Sequence, residues 1–454
     1  MKRTLSRIVA GVALLALFSL CAVAQDPTAK FDEYLSGLAN KNLFSGAVLV
    51  SKDGKVIFQK GYGKANEELD VANTPQTRFR LGSITKQFTA AAILQLEERG
   101  KLRVSDPVCN FVTNCPDAWK EITIHHLLTH TSGIPNFTNF PDYAPKMHAP
   151  ETNDTMVARF RDKPLDFKPL EKWNYSNSGY FLLGVIIEKA AGEPYDSFLQ
   201  KNIFDPLKMT GSGYDRFATI LRNRATGYSF QKGGRVNSTY LDMSQPAAAG
   251  SLYSTVEDLF AWNEALFNGK LLSPKSLAAM TTPSLNNYGY GVGIAPVLKR
   301  KTVSHGGGIN GFNTYLIRYL DDKVTIAVLR NQDYGAPSPA KITETLAALL
   351  FGEKIDAAAP AAPPAVAKVD PKIYDAYVGE YELAPTFIIA ISREGDRLMA
   401  QATGQPLIEL FPESETKFFL KVVDAKVTFV RDAGGKTTHL ILHQGGDQQA
   451  KKIK

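Results

Sequence analysis

The sequence predicts an α+β protein, in which one antiparallel sheet is assembled from distant parts of the chain and a small all-β domain follows. Two β-rich runs, Ser45–Ser51 and Val56–Gly61, flank an Asp53-Gly54 turn signal that is typical of a hairpin. A similar pair, Thr314–Tyr319 and Val324–Arg330, comes late in the chain. Helical patterns fill most of the stretch between the two pairs, so strands from both ends are expected to meet in one sheet.

The first 24 residues have the parts of a secretory signal peptide. A basic head precedes an apolar run from Ile8 to Ala24, which ends in the small-residue pattern Ala22-Val23-Ala24. The run is shorter than the roughly 20 residues of a membrane-spanning helix. We therefore expect cleavage after Ala24 and export to the periplasm or the extracellular space. Lipidation at Cys21 is disfavoured, because the leucine before it is bulkier than such sites usually have.

The charge distribution argues against a nucleic-acid partner. The formal net charge is +7, but three positive charges lie in the predicted signal peptide. Much of the remainder lies in the C-terminal tail Lys451-Lys452-Ile453-Lys454. Nucleic-acid binding needs a clustered basic face, so we expect no nucleic-acid partner and a solvated, frayed tail.

Two cysteines, Cys109 and Cys115, remain after the predicted cleavage and flank a short loop. In an oxidising compartment this spacing favours a local disulfide that staples the loop. The alternative is a pair of independent small core residues.

Two helices are predicted in the middle of the chain. Thr85–Arg99 is amphipathic and is stopped by Gly100, whereas Tyr180–Ala191 is almost wholly apolar and is stopped by Gly192 and Pro194. A helix that is apolar on every side is expected to be buried on every side.

A chain of 454 residues is too long for one average domain. Its composition changes abruptly at Ala357–Val369, where alanine and proline indicate an extended linker. Short alternating segments such as Thr437–His443 follow between Pro371 and Gly446 and predict a small all-β domain. We expect a main domain over residues 30–350, a linker over 351–370, and a β-barrel-like domain with a basic tail over 371–454.

The first of the two helices opens with Ser83-Ile84-Thr85-Lys86, which is the strongest candidate for nucleophilic catalysis. Hydrolysis through a covalent intermediate needs a nucleophile, a base and donors for the oxyanion. Residues three apart share one helical face, so the Lys86 amine can reach the Ser83 hydroxyl. The helix N-terminus adds positive potential, and Gly82 permits a tight turn next to the substrate.

The Ser-x-x-Lys spacing is weak evidence by itself, because it occurs three more times in the chain. Ser229 is predicted in a polar loop, Ser338 precedes a proline, and Ser414 lies in the β-rich domain. Ser83 alone directly precedes a long amphipathic helix. The other pairs are Ser229/Lys232, Ser338/Lys341 and Ser414/Lys417.

Two further segments supply partners for Ser83. Tyr175-Ser176-Asn177 is the only Tyr-x-Asn in the chain. A tyrosine near a lysine ammonium ionises more easily or relays a proton, and Asn177 can bind a substrate carbonyl and orient the lysine. Taken alone, Tyr175 can equally be a packed loop residue. In His305-Gly306-Gly307-Gly308 the glycines let a substrate lie against an exposed strand, with His305 at the rim.

In this order, Ser83-x-x-Lys86, Tyr175-x-Asn177 and His305-x-Gly307 resemble the three motifs of the class C β-lactamase and D-alanyl-D-alanine carboxypeptidase family. The stretches Ile124–Ile134 and Gly250–Thr255 resemble that family as well. The resemblance covers roughly residues 30 to 350.

The resemblance implies a five-stranded-type antiparallel sheet flanked by helices, with an all-helical subdomain across a cleft. It also implies that the backbone N–H groups of Ser83 and Gly308 form the oxyanion hole. The C-terminal domain resembles the small lipocalin-like β domains of some family members, through Tyr377-Val378-Gly379-Glu380-Tyr381.

His305 departs from the class C β-lactamase pattern, which usually has lysine at this position. A lysine is a permanent cation for a substrate carboxylate, whereas a histidine is only partly charged near neutral pH. The resemblance therefore favours the carboxypeptidases, D-amino-acid-specific peptidases and esterases of the family. We expect a serine hydrolase that forms an acyl-enzyme at Ser83 with a peptide of the D-amino-acid type or an ester. The alternatives are a β-lactamase and a penicillin-binding sensor that does not turn over.

His126 and His130 have the i, i+4 spacing of metal ligands. No Glu, Asp or Cys nearby in the sequence completes a ligand set, so neither a metal nor another cofactor is expected. The expected partner is a small-molecule or peptide substrate. The C-terminal domain is a candidate for association with the cell envelope.

Overall fold

The computed structural model describes residues 27–231, 234–353, 366–384, 387–403, 407–420, 425–432, 434–443 and 447–454. The predicted signal peptide, including Cys21, lies outside these residues. So do most of the Ala/Pro-rich linker and Lys232 of one Ser-x-x-Lys pair.

Most of the helices described in these ranges lie between the two predicted hairpins. They are α1 (Thr28–Asn40), α2 (Thr85–Glu98), α3 (Ile124–Leu128), α4 (Tyr143–Lys146), α5 (Asn153–Arg161), α6 (Asn177–Ala191), α7 (Tyr195–Leu199), α8 (Val256–Phe267), α9 (Pro274–Met280) and α10 (Pro339–Phe351). Helix α6 begins three residues earlier than predicted, because the Ser176 hydroxyl caps it by accepting a hydrogen bond from the Gly179 N–H at 3.4 Å.

Helix α2 was expected to be amphipathic and is instead buried on all sides from Thr85 to Leu96. Its neighbours explain the difference, because α6, α7 and α9 pack around it. Polar side chains therefore enter the interior along this helix, and Lys86 is one of them.

The strands before the linker are β1 (Gly46–Lys52), β2 (Lys55–Tyr62), β3 (Lys64–Asn66), β4 (Val71–Ala72), β5 (Phe79–Arg80), β6 (Gly213–Tyr214), β7 (Tyr228–Gln231), β8 (Gly234–Asn237), β9 (Leu252–Ser254), β10 (Gly293–Ile294), β11 (Thr302–Ile309), β12 (Phe312–Tyr319) and β13 (Val324–Arg330). The main sheet has the order β10-β11-β12-β13-β1-β2, and every neighbouring pair is antiparallel. The remaining pairings within this part are β3-β4, β5-β9-β6 and β7-β8.

The two predicted hairpins meet in this sheet, as expected. Strand β1 pairs with β13, with Val48 opposite Val328. Five long strands form the sheet, and β10 adds a two-residue edge. The predicted fold class is therefore confirmed.

Both faces of the sheet are covered, because alternate residues of each strand point to opposite sides. Val48 and Val50 belong to a core shared with α1 and α10, whereas Ala47 and Leu49 belong to a larger core that includes α2, α6 and α8. The start of α2, where Ser83 is predicted to act, lies on the side of the larger core.

The C-terminal domain is a closed barrel of antiparallel strands, which confirms the predicted all-β domain. Its strands are β14 (Gly379–Ala384), β15 (Phe387–Glu394), β16 (Arg397–Ala402), β17 (Ile408–Pro412), β18 (Lys417–Phe419), β19 (Lys426–Arg431), β20 (Thr437–His443) and β21 (Asp447–Lys452). Aromatic and aliphatic side chains such as Tyr377, Phe418 and Phe429 fill its interior.

The basic tail is not frayed, contrary to expectation. Strand β21 contains Lys451 and Lys452, which pair with β14 and close the barrel. The Glu380 N–H also donates to the Lys454 carbonyl at 3.1 Å. The strand has only a weak sequence signal, because Ala450 is its one apolar residue and belongs to the barrel core.

Ser338 also differs from the prediction. The proline that follows it predicts no helix start, but Ser338 caps α10, and its hydroxyl accepts a hydrogen bond from the Lys341 N–H. Proline is favoured at the first helical position, since its missing N–H would have no partner there. Lys341 remains a surface residue that pairs with Glu344 at 3.0 Å. Ser229, predicted in a loop, lies in β7.

The Cys109 and Cys115 sulfur atoms are bonded at 2.08 Å. The disulfide closes the short loop that follows Val108, as the spacing of the two cysteines predicts. Over the described ranges, no helix has both the length and the apolar character needed to cross a membrane.

Candidate active site

Ser83 lies in a tight turn that joins β5 to α2. Gly82 adopts a left-handed backbone with φ of +55°, and a single 3-10 turn over Gly82–Ile84 leads into the helix. Strand β11 passes directly against this turn. A Cβ atom on Gly307 would lie 1.9 Å from the Leu81 carbonyl oxygen, so only glycine permits the approach.

The Lys86 amine lies at the centre of the site and is fully buried. Its Nζ is 3.1 Å from Ser83 Oγ and 2.8 Å from each of two acceptors, Asn177 Oδ1 and the Ala249 carbonyl oxygen. Burial holds the pKa of Lys86 well below its usual value. A neutral amine has two N–H groups, which match the two acceptors, and one lone pair, which is then available to the Ser83 hydroxyl.

Tyr175 lies beside both residues. Lys86 Nζ is 4.7 Å from the centre of its ring. Burial raises the pKa of Tyr175, and a hydrogen bond with Ser83 only partly opposes that rise. The phenol therefore stays protonated at neutral pH. Of the two roles expected for this tyrosine, the raised pKa disfavours ready ionisation and leaves proton relay.

Asn177 is the first residue of α6 and is held at both ends of its amide group. Its Oδ1 accepts from Lys86, and its Nδ2 donates to Thr138 Oγ1 at 3.3 Å. Its backbone N–H donates to Asn136 Oδ1 at 3.1 Å. These contacts orient the lysine amine, which is one of the two roles expected for Asn177.

His305 is buried next to the site, and its ring is tied at both nitrogens. Nδ1 lies 2.6 Å from the Gly306 carbonyl oxygen, so Nδ1 carries the proton, and Nε2 accepts from the Tyr288 hydroxyl at 2.8 Å. Burial lowers the pKa of His305 to about 4. The expectation of a partly charged histidine is therefore wrong: at neutral pH this ring has no charge.

The edge of β11 is open where it reaches Ser83. Strand β10 pairs only with Val303 and Ser304, further along β11. Gly308 is exposed, and a Cβ atom there would meet nothing within 4 Å. An extended substrate can add to such an edge through backbone hydrogen bonds. The oxyanion hole expected at the Ser83 and Gly308 N–H groups would lie at the same end of this edge.

Several residues of the site were not predicted, because they belong to none of the three motifs. Ala249 supplies a carbonyl to Lys86, Tyr288 fixes the ring of His305, and His130 packs against Tyr175 with ring centres 4.3 Å apart. For Ala249 and His130, the signal in the sequence was the resemblance of the stretches around Gly250 and Ile124 to the family. Tyr288 had none, because its role depends on the tertiary contact alone.

The two histidines with metal-ligand spacing have other partners. His126 Nδ1 accepts from the Thr123 N–H in a capping box, and His130 Nδ1 accepts from the Ser176 N–H. In the part of the chain that the structure describes, no group of three or more His, Cys, Asp or Glu side chains is placed to hold a metal ion.

The main domain combines an antiparallel sheet flanked by helices with a Ser-x-x-Lys at a helix start, whose lysine is buried beside a Tyr-x-Asn. A glycine-rich strand with a partly open edge lies next to them. These features define the class of serine hydrolases with the β-lactamase fold. The chain belongs to the β-lactamase family, whose model matches residues 31–350. Residues 363–453 match a domain of unknown function, DUF3471.

Relatives include penicillin-binding protein 4* of Bacillus subtilis (strain 168), which is 32% identical over 92% of this chain and 97% of its own length. The teichoic acid D-alanine hydrolase of Staphylococcus aureus (strain MRSA252) is 30% identical over 66% of this chain and 72% of its own. Among solved structures, the octameric penicillin-binding protein homologue from Pyrococcus abyssi has a TM-score of 0.65 and 28% identity, and the match covers 93% of this chain and 99% of that one.

Proposed function

We propose that this protein is a serine hydrolase that forms an acyl-enzyme at Ser83 with D-aminoacyl amides or esters. The observation that carries the proposal is the environment of Lys86. Its amine is buried, its pKa is depressed, and two acceptors leave its lone pair for the Ser83 hydroxyl. A neutral lysine in contact with a serine is an activated nucleophile pair.

In the acylation step, Ser83 Oγ attacks the substrate carbonyl carbon while its proton passes to Lys86 Nζ, 3.1 Å away. The developing oxyanion lies at the Ser83 and Gly308 N–H groups, where preorganised donors stabilise it. The protonated Tyr175 then donates its proton to the leaving nitrogen or oxygen as the bond to the carbonyl breaks. Lys86 returns a proton to Tyr175, so the enzyme ends with one acyl group on Ser83.

Water completes the cycle with the same proton transfers. Lys86 accepts the proton of the attacking water, and the second oxyanion uses the same donors. Tyr175 donates its proton to Ser83 Oγ as the acyl bond breaks, and Lys86 then returns a proton to Tyr175. The raised pKa of Tyr175 keeps the phenol protonated, so that it has a proton to donate to the leaving group.

The neutrality of His305 supports a substrate without a carboxylate next to the scissile bond. A peptide that ends in free D-alanine, like a β-lactam, presents a carboxylate there, and an uncharged ring offers it no ion pair. A D-aminoacyl amide or ester makes no such demand. The relative named as a teichoic acid D-alanine hydrolase supports a D-alanyl acyl group.

A parallel rate comparison tests the proposal. The purified protein is assayed on D-alaninamide, L-alaninamide, p-nitrophenyl butyrate, nitrocefin and a D-Ala-D-Ala peptide. We expect turnover of the D-amide and the ester to exceed that of the other three. A Ser83→Ala variant that is still labelled by a fluorophosphonate would overturn the assignment of the nucleophile.

A second candidate is a protein that is acylated by penicillin without efficient turnover. The relationship to penicillin-binding protein 4* supports it. Labelling of Ser83 by a fluorescent penicillin, with no measurable turnover of the amide or the ester, would favour this candidate over the hydrolase.

We also infer that the protein works outside the cytoplasm. The signal-peptide pattern of residues 1–24 and the Cys109–Cys115 disulfide support export, since disulfides persist in oxidising compartments. The barrel is proposed to associate with the cell envelope. Mass spectrometry of the N-terminus of secreted protein, with cleavage expected after Ala24, tests the first point.

A further inference from the structure

The buried segment from Thr129 to Phe137 has no role in the mechanism above, although most of it belongs to the family-like stretch of the sequence. This segment holds the chain around Tyr175 by a series of hydrogen bonds. They join Ser176 Oγ to the Ile134 carbonyl at 3.0 Å, Ser178 Oγ to the Pro135 carbonyl at 2.6 Å, and the Asn177 N–H to Asn136 Oδ1 at 3.1 Å. The segment is therefore the support on which Tyr175-Ser176-Asn177 lies.

His130 is the residue of this support that touches Tyr175 directly. Its backbone carbonyl accepts from the Asn174 N–H at 3.0 Å, and its Nδ1 accepts from the Ser176 N–H at 3.1 Å. Both neighbours of Tyr175 in the chain are thus bound to the same histidine. Its ring packs on the Tyr175 ring, with centres 4.3 Å apart and planes 40° apart.

The geometry also defines the protonation state of His130. Nδ1 accepts a backbone N–H, so in the neutral ring the proton is on Nε2. The residue is 1% exposed, and burial among the rings of Trp173, Tyr180 and Tyr288 lowers its pKa well below the usual value. The ring therefore stays neutral and keeps its acceptor for Ser176. Its left-handed backbone, with φ of +59°, is one that histidine and asparagine tolerate better than most residues.

We propose that His130 is a positioning residue for Tyr175: by binding the backbone on both sides of the tyrosine and packing on its ring, it keeps the phenol at Ser83. The inference rests on the proposed function, in which Tyr175 gives a proton to the leaving group. His130 touches neither the substrate nor the reacting atoms in this scheme, and its effect on the reaction passes through Tyr175.

The dependence of the rate on the leaving group tests this role. The esters p-nitrophenyl butyrate and methyl butyrate deliver the same acyl group but differ in their leaving groups. p-Nitrophenolate can depart without a proton, whereas methoxide must receive a proton as it leaves. In His130→Asn, whose amide oxygen can still accept from Ser176, we expect kcat/KM for methyl butyrate to fall about tenfold more than for p-nitrophenyl butyrate. A loss of folded protein alone would reduce both rates equally. Rates are normalised to active sites titrated with a fluorophosphonate.

A double-mutant cycle identifies Tyr175 as the intermediary. Tyr175→Phe should show the same leaving-group dependence to a larger extent, and His130→Asn should add little in that background. His125→Asn serves as the matched control. His125 lies in the same stretch but bonds to Tyr290 at 2.8 Å, so its loss should not change the leaving-group dependence. His130→Phe, which keeps a ring but loses the acceptor, should resemble His130→Asn.

The outcomes separate this inference from the proposed function. Equal losses on both esters in His130→Asn, or a full additional loss in the Tyr175→Phe background, would overturn the positioning role. If Tyr175→Phe itself shows no leaving-group dependence, the proposed role of Tyr175 is wrong, and the role of His130 is wrong with it.

Discussion

The side chain of Lys86 shows how burial changes the protonation of a residue that is usually exposed. A lysine ammonium is strongly hydrated, and moving it into the interior favours the neutral amine. Here that burial is complete, and the acceptors Asn177 Oδ1 and the Ala249 carbonyl fix the direction of the amine. The sequence suggests the contact with Ser83, but the depressed pKa depends on the helices packed around α2.

Replacing Lys86 with arginine should abolish most of the activity although the charge type is kept. A guanidinium remains protonated at all working pH values, so Ser83 loses its base, and general-base catalysis contributes about 10²–10⁴-fold. The rate of labelling by a fluorophosphonate measures the effect. Lys341→Arg is the matched control, because Lys341 belongs to another Ser-x-x-Lys but is exposed and paired with Glu344. Near-normal labelling of Lys86→Arg would contradict the proposed base.

The buried neutral ring of His305 predicts a loss of stability in acid. Its pKa is about 4 in the folded protein against an ordinary 6.5, so between these values the unfolded chain binds a proton that the folded chain does not. Stability therefore falls as the pH drops from 6.5 towards 4, by about 2 kcal/mol at pH 5 from this residue.

Urea unfolding at pH 7 and pH 5 measures this loss of stability. The difference in unfolding free energy between the two pH values should be about 2 kcal/mol smaller in His305→Asn than in the wild type. An identical pH dependence in the two proteins would show that His305 does not titrate as its burial requires.

At the scale of secondary structure elements, strand β11 and the turn before α2 form one unit. The turn approaches the strand so closely that Gly82 and Gly308 are in contact: a Cβ on Gly82 would lie 3.1 Å from the Gly308 nitrogen. This contact places Ser83 next to the open strand edge. The two neighbouring glycines of β11 serve different purposes, because Gly307 faces the turn and Gly308 faces open space.

Alanine substitutions at these two positions should therefore differ. In Gly307→Ala the new methyl group meets the Leu81 carbonyl, which pushes the strand from the nucleophile and costs about 1–3 kcal/mol or more. In Gly308→Ala the methyl group meets no protein atom, so the thermal midpoint should stay the same. Thermal unfolding of both variants measures the contrast. Equal losses of stability would contradict the observed approach.

The elements differ in how much of them the sequence predicts. Both hairpins were predictable from turn chemistry and alternation, and Ser83, Lys86, Tyr175 and Asn177 from motif order. The start of α10 at Ser338 has a local signal, since a serine followed by a proline favours a helix start, and the interpretation of this proline as a helix breaker is wrong. The final strand β21 was not predictable, because a lysine-rich segment with one apolar residue does not show the alternation of a strand. The charge of His305 and the support by His130 depend on burial, which no local pattern reports.

At the scale of the whole molecule, the chain has separate cores before and after the linker. The two cores of the main domain consist of residues between Phe31 and Phe351, whereas the barrel core consists of residues between Val369 and Ala450. The barrel is also closed on itself by β14 and β21. Each part therefore has what a domain needs to fold independently.

A chain that ends at Glu353 should therefore keep the hydrolase activity. All the proposed catalytic residues lie before the linker, and among the described residues no barrel side chain belongs to their cores. We expect kcat/KM on p-nitrophenyl butyrate within about twofold of the full-length value, since no interaction of the transition state is removed. Binding to isolated cell envelopes, in contrast, should decrease.

The isolated barrel, residues 366–454, is the complementary sample and should bind envelopes without hydrolase activity. Its purification tag belongs at the N-terminus, because the Lys454 carbonyl accepts a hydrogen bond from the Glu380 N–H. A truncated enzyme that folds but loses ester turnover would show that the barrel contributes to the catalytic cleft, and unchanged envelope binding would exclude the barrel as the anchor.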